Sequence, residues 1–257
     1  MNLDKDEILL KRRLSDLANL AYERSICLFS DYLNLNEQNI FLSIKHELPM
    51  IKYFAYGGFN DAERKILCFC GDNSIEDPSD MECPISCLKI TPINAKFSDS
   101  LTHRDYLGAI LNLGIDRRKI GDILSGNNEA YIFCVTSISS FIIDQLIKVK
   151  HTMISVSLDD NKDFVYEPVF KELKKTVSSE RLDSILSAAF NESRGSMTDM
   201  IAAGKVFVNS KVILSNSYIL KENDVVSARG LGKFLYAGTT GTTKKGRCSI
   251  LIKLYTA

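Results

Sequence analysis

Over residues 1–50 apolar side chains recur every three or four positions, a helical spacing that puts Leu10, Leu14, Leu17, Ala18 and Ala21 on one face. A second apolar pattern ends near Pro49, so 1–50 is expected to be a helical N-terminal segment. From about 51 the period shortens. The runs KYFAYGGF, KILCFCG, CLKITPIN, AYIFCV and TMISVSL read as strands, interleaved with helical stretches near 102–124 and 137–148. That alternation predicts an α+β layer over 51–158, most simply a ferredoxin-like, RRM-like sandwich with helices over one face of a mainly antiparallel sheet. Residues 159–179, rich in charge and serine, read as a linker with room for a last strand.

The remainder, 180–257, reads as a compact module closed by a hairpin. Leu182, Ile185, Leu186, Ala189 and Phe190 fall on one helical face, which leaves Arg181 and Asp183 pointing elsewhere. Ser193 or Ser196 can cap a second helix, whose Met197, Met200 and Ile201 are again three and four apart before Gly204 stops it. Val206 to Val208 then form a strand, Asn209 and Ser210 a tight turn, and Val212 to Leu214 the return. Serine disfavours positive φ, so a wider or more strained turn than one with glycine is expected at 210.

Charge changes the picture, because the 32 basic and 32 acidic residues of this 257-residue chain are unevenly placed. From 181 onward there are 11 Lys and Arg against 5 Asp and Glu, and before it 21 against 27, so an acidic body carries a basic end of net +6. Such an end suits a polyanion, since phosphate contacts supply most non-specific affinity for nucleic acid. No apolar run approaches the roughly 20 residues that span a membrane, and the start MNLDKDEILLKRR lacks a signal peptide's apolar stretch. A cytoplasmic location and no membrane partner are expected. Seven cysteines without an export signal suggest reduced thiols. Neither Cys68 with Cys70 nor Cys83 with Cys87 has zinc-knuckle spacing, and His46, His103 and His151 are scattered, so no metal site is expected.

Several spaced segments, Arg181-Leu182-Asp183, Ser193-Arg194, Ala203-Gly204-Lys205-Val206, Val208-Asn209, Asp224-Val225-Val226 and Arg229-Gly230, together resemble the S4 RNA-binding domain. Further segments resemble the YlmH family of bacterial proteins. These are Tyr56-Gly57-Gly58-Phe59, Ala62-Glu63-Arg64-Lys65, Leu101 to Ala109, Gly121-Asp122-Ile123-Leu124 and Thr243 to Arg247. That resemblance implies an S4 domain (αL motif plus small β-structure) behind an RRM-like domain. It also implies a ribosome-associated RNA-binding factor linked to quality control of stalled large subunits carrying peptidyl-tRNA.

Enzymatic signals fail on their surroundings. His103-Arg104-Asp105 copies the start of a kinase catalytic loop, but Ile110 stands where the metal-binding asparagine is needed, so Thr102 reads as a helix cap and Asp105 as a first-turn acid. Gly241 to Cys248 is a near miss to a phosphate-binding loop, with Arg247 in the lysine position and a strand after it, and reads as a hairpin tip. No nucleotide or other cofactor is expected. The expectation is therefore a non-catalytic RNA-binding protein, monomeric, whose partners are structured rRNA of the large ribosomal subunit and possible tRNA. Arg181, Ser193, Arg194 and Ser196 would meet phosphate at the entrance of the second helix. Lys205, Asn209, Lys211, Arg229 and Lys233 would extend the surface, and Lys244, Lys245 and Arg247 would form an arm at the hairpin tip. An alanine at 194 is expected to spare the fold. The alternatives are a protein-interaction factor linked to cell division and an RNA-modifying activity around His103 and Asp105.

Overall fold

The computed structural model describes residues 5–71, 82–126, 129–159, 170–244 and 246–255. The chain divides into two compact units, the first reaching Tyr166 and the second running from Glu167 to Thr256.

In the first unit, α1 (Lys5–Arg24) and α2 (Leu35–Ile44) lie against a small sheet of β1 (Cys27–Phe29), β2 (Lys52–Tyr56) and β3 (Ile66–Cys70), ordered β1-β3-β2. Leu14, Ala18 and Ala21, the face read from the sequence, pack with Phe41, Leu67 and Phe69. The segment expected to be helical thus also donates a strand. Its register sets Cys27 opposite Cys70, and the two are joined as a disulfide with Cα atoms 4.2 Å apart. The expectation of reduced thiols is overturned for this pair, which only the ladder brings together. Cys68 is free and buried, and burial pushes its thiol up to about 12.

The rest of this unit follows the order strand, helix, strand, strand, helix, strand. It consists of β4 (Ile85–Pro92), α3 (His103–Asn112), β5 (Ile120–Gly126), β6 (Glu129–Val135), α4 (Ser139–Gln145), the short β7 (Lys148–Val149) and β8 (Thr152–Asp159). Its strands are ordered β5-β6-β4-β8-β7 and each named pairing is antiparallel, so β4, β5, β6 and β8 reproduce the ferredoxin-like arrangement. Period-2 alternation sends Leu88, Ile90, Ala130, Ile132, Cys134 and Ile154 into one core with Tyr106, Ile110 and Ile142 of the helices. The helix expected to reach residue 124 ends at Asn112, because Gly114 turns at φ +82 and Ile120 to Gly126 pair as a strand. At the start of α3 the Thr102 N–H and hydroxyl both donate to Asp105, at 2.8 and 2.7 Å. Lys150 lies 2.8 Å from the same carboxylate, and chiefly this contact lowers its pKa to about 2.

In the second unit the expected linker holds β9 (Phe170–Val177), an edge strand paired with β14 over eight residues. Helices α5 (Leu182–Phe190) and α6 (Arg194–Ala202) follow, then β10 (Val206–Val208), β11 (Lys211–Val212), β12 (Val225–Ala228), β13 (Gly232–Thr242) and β14 (Cys248–Tyr255). The sheet runs β11-β10-β12-β13-β14-β9. Leu182, Ile185, Leu186 and Ala189 of α5 and Met197 and Ile201 of α6 meet Val206, Val226, Phe234 and Ile252, while Leu173 and Val177 of β9 close the same core. The return strand β11 stops at Val212, two residues earlier than expected. The turn before it is tight despite Ser210. Asn209 and Ser210 both take positive φ, 48° and 65°, and Val208 pairs directly with Lys211.

A side chain other than glycine in this left-handed conformation costs about 1 kcal/mol. Ser210→Gly is therefore expected to stabilise the second unit by about that amount. Urea unfolding of both proteins measures it, and an unchanged or lowered midpoint contradicts the account.

Candidate RNA interface

The candidate interface begins where two helices start. Arg181 is the extended N-cap residue of α5 and Asp183 lies in its first turn, where a negative charge suits the helix dipole. Asn191 ends α5 with φ 56°, in the left-handed region, and this reverses the chain so that Ser193 caps α6. The Ser193 hydroxyl accepts the Ser196 N–H at 3.1 Å. Arg194, the first residue of α6, thereby comes to the start of α5, and its Nη2 donates to Asp183 Oδ2 at 2.6 Å. Arg181 Nε donates to the other oxygen at 3.1 Å. The carboxylate is 6% exposed, whereas the two arginines are 42% and 50% exposed. One buried anion thus fixes two guanidinium groups whose free edges face water.

Burial pushes the Asp183 carboxyl up, but hydrogen bonds from Arg194 and Arg181 and their charges outweigh it, and the pKa is lowered. Apolar spacing had placed Asp183 away from the core, and the structure corrects this, since the residue is buried. The sequence signal for its role was the pair of arginines at the two helix starts. Backbone donors at the start of α5 are partly occupied, because Leu182 and Asp183 donate to the carbonyls of Tyr218 and Asn216 at 2.8 and 3.3 Å. The start of α6 is open. Around Gly195 nothing but the Ser193 hydroxyl comes within 4 Å of an added Cβ, and residues 193–196 are exposed. Helix-end amides beside a rigid guanidinium are a phosphate-binding combination.

The other expected contacts are dispersed. Lys205 and Arg229 are exposed and adjacent, the Arg229 N–H donating to the Lys205 carbonyl at 2.9 Å. Lys211 is exposed on β11. Asn209 has its amide engaged, with Nδ2 donating to Asp224 at 2.8 Å and Oδ1 accepting the Val225 N–H at 2.9 Å, so its side chain holds the turn. Lys233 sits 4.9 Å from the Tyr255 ring, while its neighbours Phe234 and Tyr236 point into the core. It is on the other face of the sheet from the helices. Lys244 and Arg247 are exposed at the turn joining β13 to β14, where the Thr243 N–H donates to the Arg247 carbonyl at 2.8 Å and the Arg247 N–H donates to the Thr243 hydroxyl at 3.1 Å. Lys245 lies outside the described residues. Lysines on β9 were missed when 159–179 read as a linker, and Lys175 bonds Asn191 at 2.9 Å.

On the ferredoxin-like sheet, stacking aromatics would be sought on β6, the second central strand. Phe133 there is already packed on Phe59 of the same unit, with ring centroids 5.0 Å apart, and Gly58 passes so close at φ +107 that a Cβ would sit 2.2 Å from the ring. Tyr131 stands beside Lys89 and Glu129, themselves 2.8 Å apart. Among the described residues no group of three metal-ligating side chains occurs.

Residues 78–163 match the YlmH_RBD family, the RNA-binding domain named for YlmH, and residues 180–226 match the S4 domain family. The chain is 28% identical over 247 residues to ribosome-associated protein quality control protein P2 of Bacillus subtilis (strain 168), covering 95% of this chain and 93% of that protein. A solved structure, cell division protein YlmH from Streptococcus pneumoniae, covers 65% of this chain and 98% of its own, with a TM-score of 0.50 and 18% identity, a likeness of fold.

Arg194→Ala is expected to weaken RNA binding roughly tenfold to a hundredfold and, contrary to the sequence expectation, to cost about 1 to 2 kcal/mol of stability by leaving Asp183 one partner short. Arg194→Lys should restore part of both. Fluorescence anisotropy at one salt concentration and urea unfolding measure the two effects, and unchanged affinity would place Arg194 outside the interface.

Because its pKa is depressed on folding, Asp183 contributes stability that is present above the ordinary aspartate value of 3.8 and is lost as pH falls through the lower folded value. In Asp183→Asn that part of the acid dependence should vanish. Thermal midpoints of both proteins over an acid series test it, and parallel curves would refute it.

Proposed function

Starting from a chain that carries a YlmH-type RNA-binding domain followed by an S4 domain, we propose that it is a non-catalytic RNA-binding protein that associates with the ribosome. It would contact rRNA of the large subunit or tRNA and act in quality control of stalled chains in the cytoplasm. The observation that carries this reading is the arginine pair locked on Asp183 beside the open start of α6, a preset fork for phosphate oxygens. Charge supports it. The second unit, 167–256, holds 14 Lys and Arg against 8 Asp and Glu, so the basic excess lies with the arginine pair. The name of the Bacillus subtilis relative supports the ribosomal setting.

A non-catalytic role fits the state of the acids at these helix starts. Asp183 is saturated by two arginines, and Asp105 by Thr102 and Lys150. Neither is poised to move a proton near neutral pH, because both are held in the charged form. Shape and backbone contacts would then set specificity, with RNA tertiary form supplying what base edges do not.

In sucrose gradients at low salt the protein is expected to travel with large ribosomal subunits and to leave them as salt rises, because contacts that release counterions weaken steeply with ionic strength. Crosslinked RNA fragments from the same fractions would distinguish rRNA from tRNA. Protein that stays at the top of the gradient with subunits in excess overturns the ribosomal reading.

A further inference from the structure

The six-stranded sheet of the second unit is covered on one face by α5 and α6, and its other face carries no helix of this unit among the described residues. Alternation along the strands sorts the two faces. Phe234, Tyr236, Ile250 and Ile252 enter the core under the helices. The residues between them, among them Lys233, Leu235, Leu251 and Lys253, are partly exposed on the opposite side.

Register then arranges that face in rows. Lys233 lies 4.9 Å over the ring of Tyr255, and Tyr255 is paired with Phe170, ring centroids 4.8 Å apart and 69° between planes. One row thus runs from a lysine through two aromatic rings across β13, β14 and β9. The next sets Leu235 beside Lys253 and Lys253 beside Glu172, and the next sets Leu251 beside Lys174. Three adjacent strands each contribute a lysine, with one carboxylate among them. Apolar and aromatic surface lies between the cations.

We infer that this face is a second RNA site, taking an unpaired strand, separate from the arginine pair at the helix starts. The inference rests on the RNA-binding reading given above. A duplex would offer the lysines its phosphates but hide its base faces, leaving Tyr255, Phe170 and the leucines unmatched. An unpaired strand satisfies both halves of the surface, with phosphates on Lys174, Lys233 and Lys253 and bases on rings and leucines. Helix starts that grip a folded backbone and a flat sheet that takes a loose strand would let one small unit hold a helix and its single-stranded flank.

The chain has no tryptophan, so Tyr255→Trp in the full-length protein adds a single reporter that keeps a stacking ring. Titration with an oligouridylate of about ten nucleotides should quench its emission. In that protein Lys174→Ala with Lys253→Ala should weaken the quench roughly tenfold while leaving affinity for an RNA hairpin unchanged, and Arg194→Ala should do the reverse. Thermal midpoints check that each variant is folded. Oligouridylate binding without quenching, or a quench indifferent to both lysines, overturns the second site and leaves the helix-start interface standing. Binding of neither RNA by the folded protein overturns the RNA-binding reading itself. If a ribosomal protein protects this face from lysine acetylation while the oligouridylate does not, it is a protein surface and the inference fails.

Discussion

A carboxylate removed from water must be neutralised where it stands, and this requirement organises both units. Asp183 is the case at the candidate interface. Its burial is tolerable because Arg181 and Arg194, eleven residues further on, converge on it. The helix reversal at Asn191, the Ser193 cap and the docking of 216–219 on the start of α5 all serve that convergence. A guanidinium held at one edge by a buried anion keeps its other edge aimed outward at little further entropic cost, which is what a phosphate site needs.

The same solution recurs in the first unit. Asp31, at 8% exposure, is bonded by Arg13 of α1 and by Lys119, which stands immediately before β5. Burial raises its carboxyl, but the two cations lower it further, so the anion ties the N-terminal helix to the ferredoxin-like sheet. Asp122 accepts the backbone N–H groups of Glu63 and Arg64 at 2.6 and 3.1 Å. Arg64 in turn donates to the carbonyls of Ile120 and Tyr32 at 3.0 and 3.2 Å. Two sequence segments that carry the YlmH resemblance, 62–65 and 121–124, thus meet across the fold. They act as joints within the first unit.

Segregation of work follows. In the first unit the sheet face that could stack bases is partly closed by the chain's own Phe59 on Phe133, whereas the second unit leaves the start of α6 open and its far sheet face partly exposed. The basic excess belongs to the second unit, so phosphate attraction and accessible surface coincide there.

Periodicity alone determined the helical faces of α1, α5 and α6 and the strands β4, β6 and β8 of the ferredoxin-like layer, because these depend on residues two, three or four apart along the chain, whereas the same spacing reads β5 as helix and leaves the cap of α6 between Ser193 and Ser196. Charge asymmetry and the spaced S4 segments marked the basic end. What local patterns could not determine was set by distant partners. The strand at Cys27–Phe29 exists through pairing with β3, and β9 is a strand through eight residues of pairing with β14. Asn209 is consumed by Asp224, and Lys233 is turned to the far face by the alternation of β13. Asp183 is the sharpest example. Helical spacing assigned it to solvent, yet two cations, one at each helix start, make its burial possible, and no window along the sequence contains the geometry that brings them together.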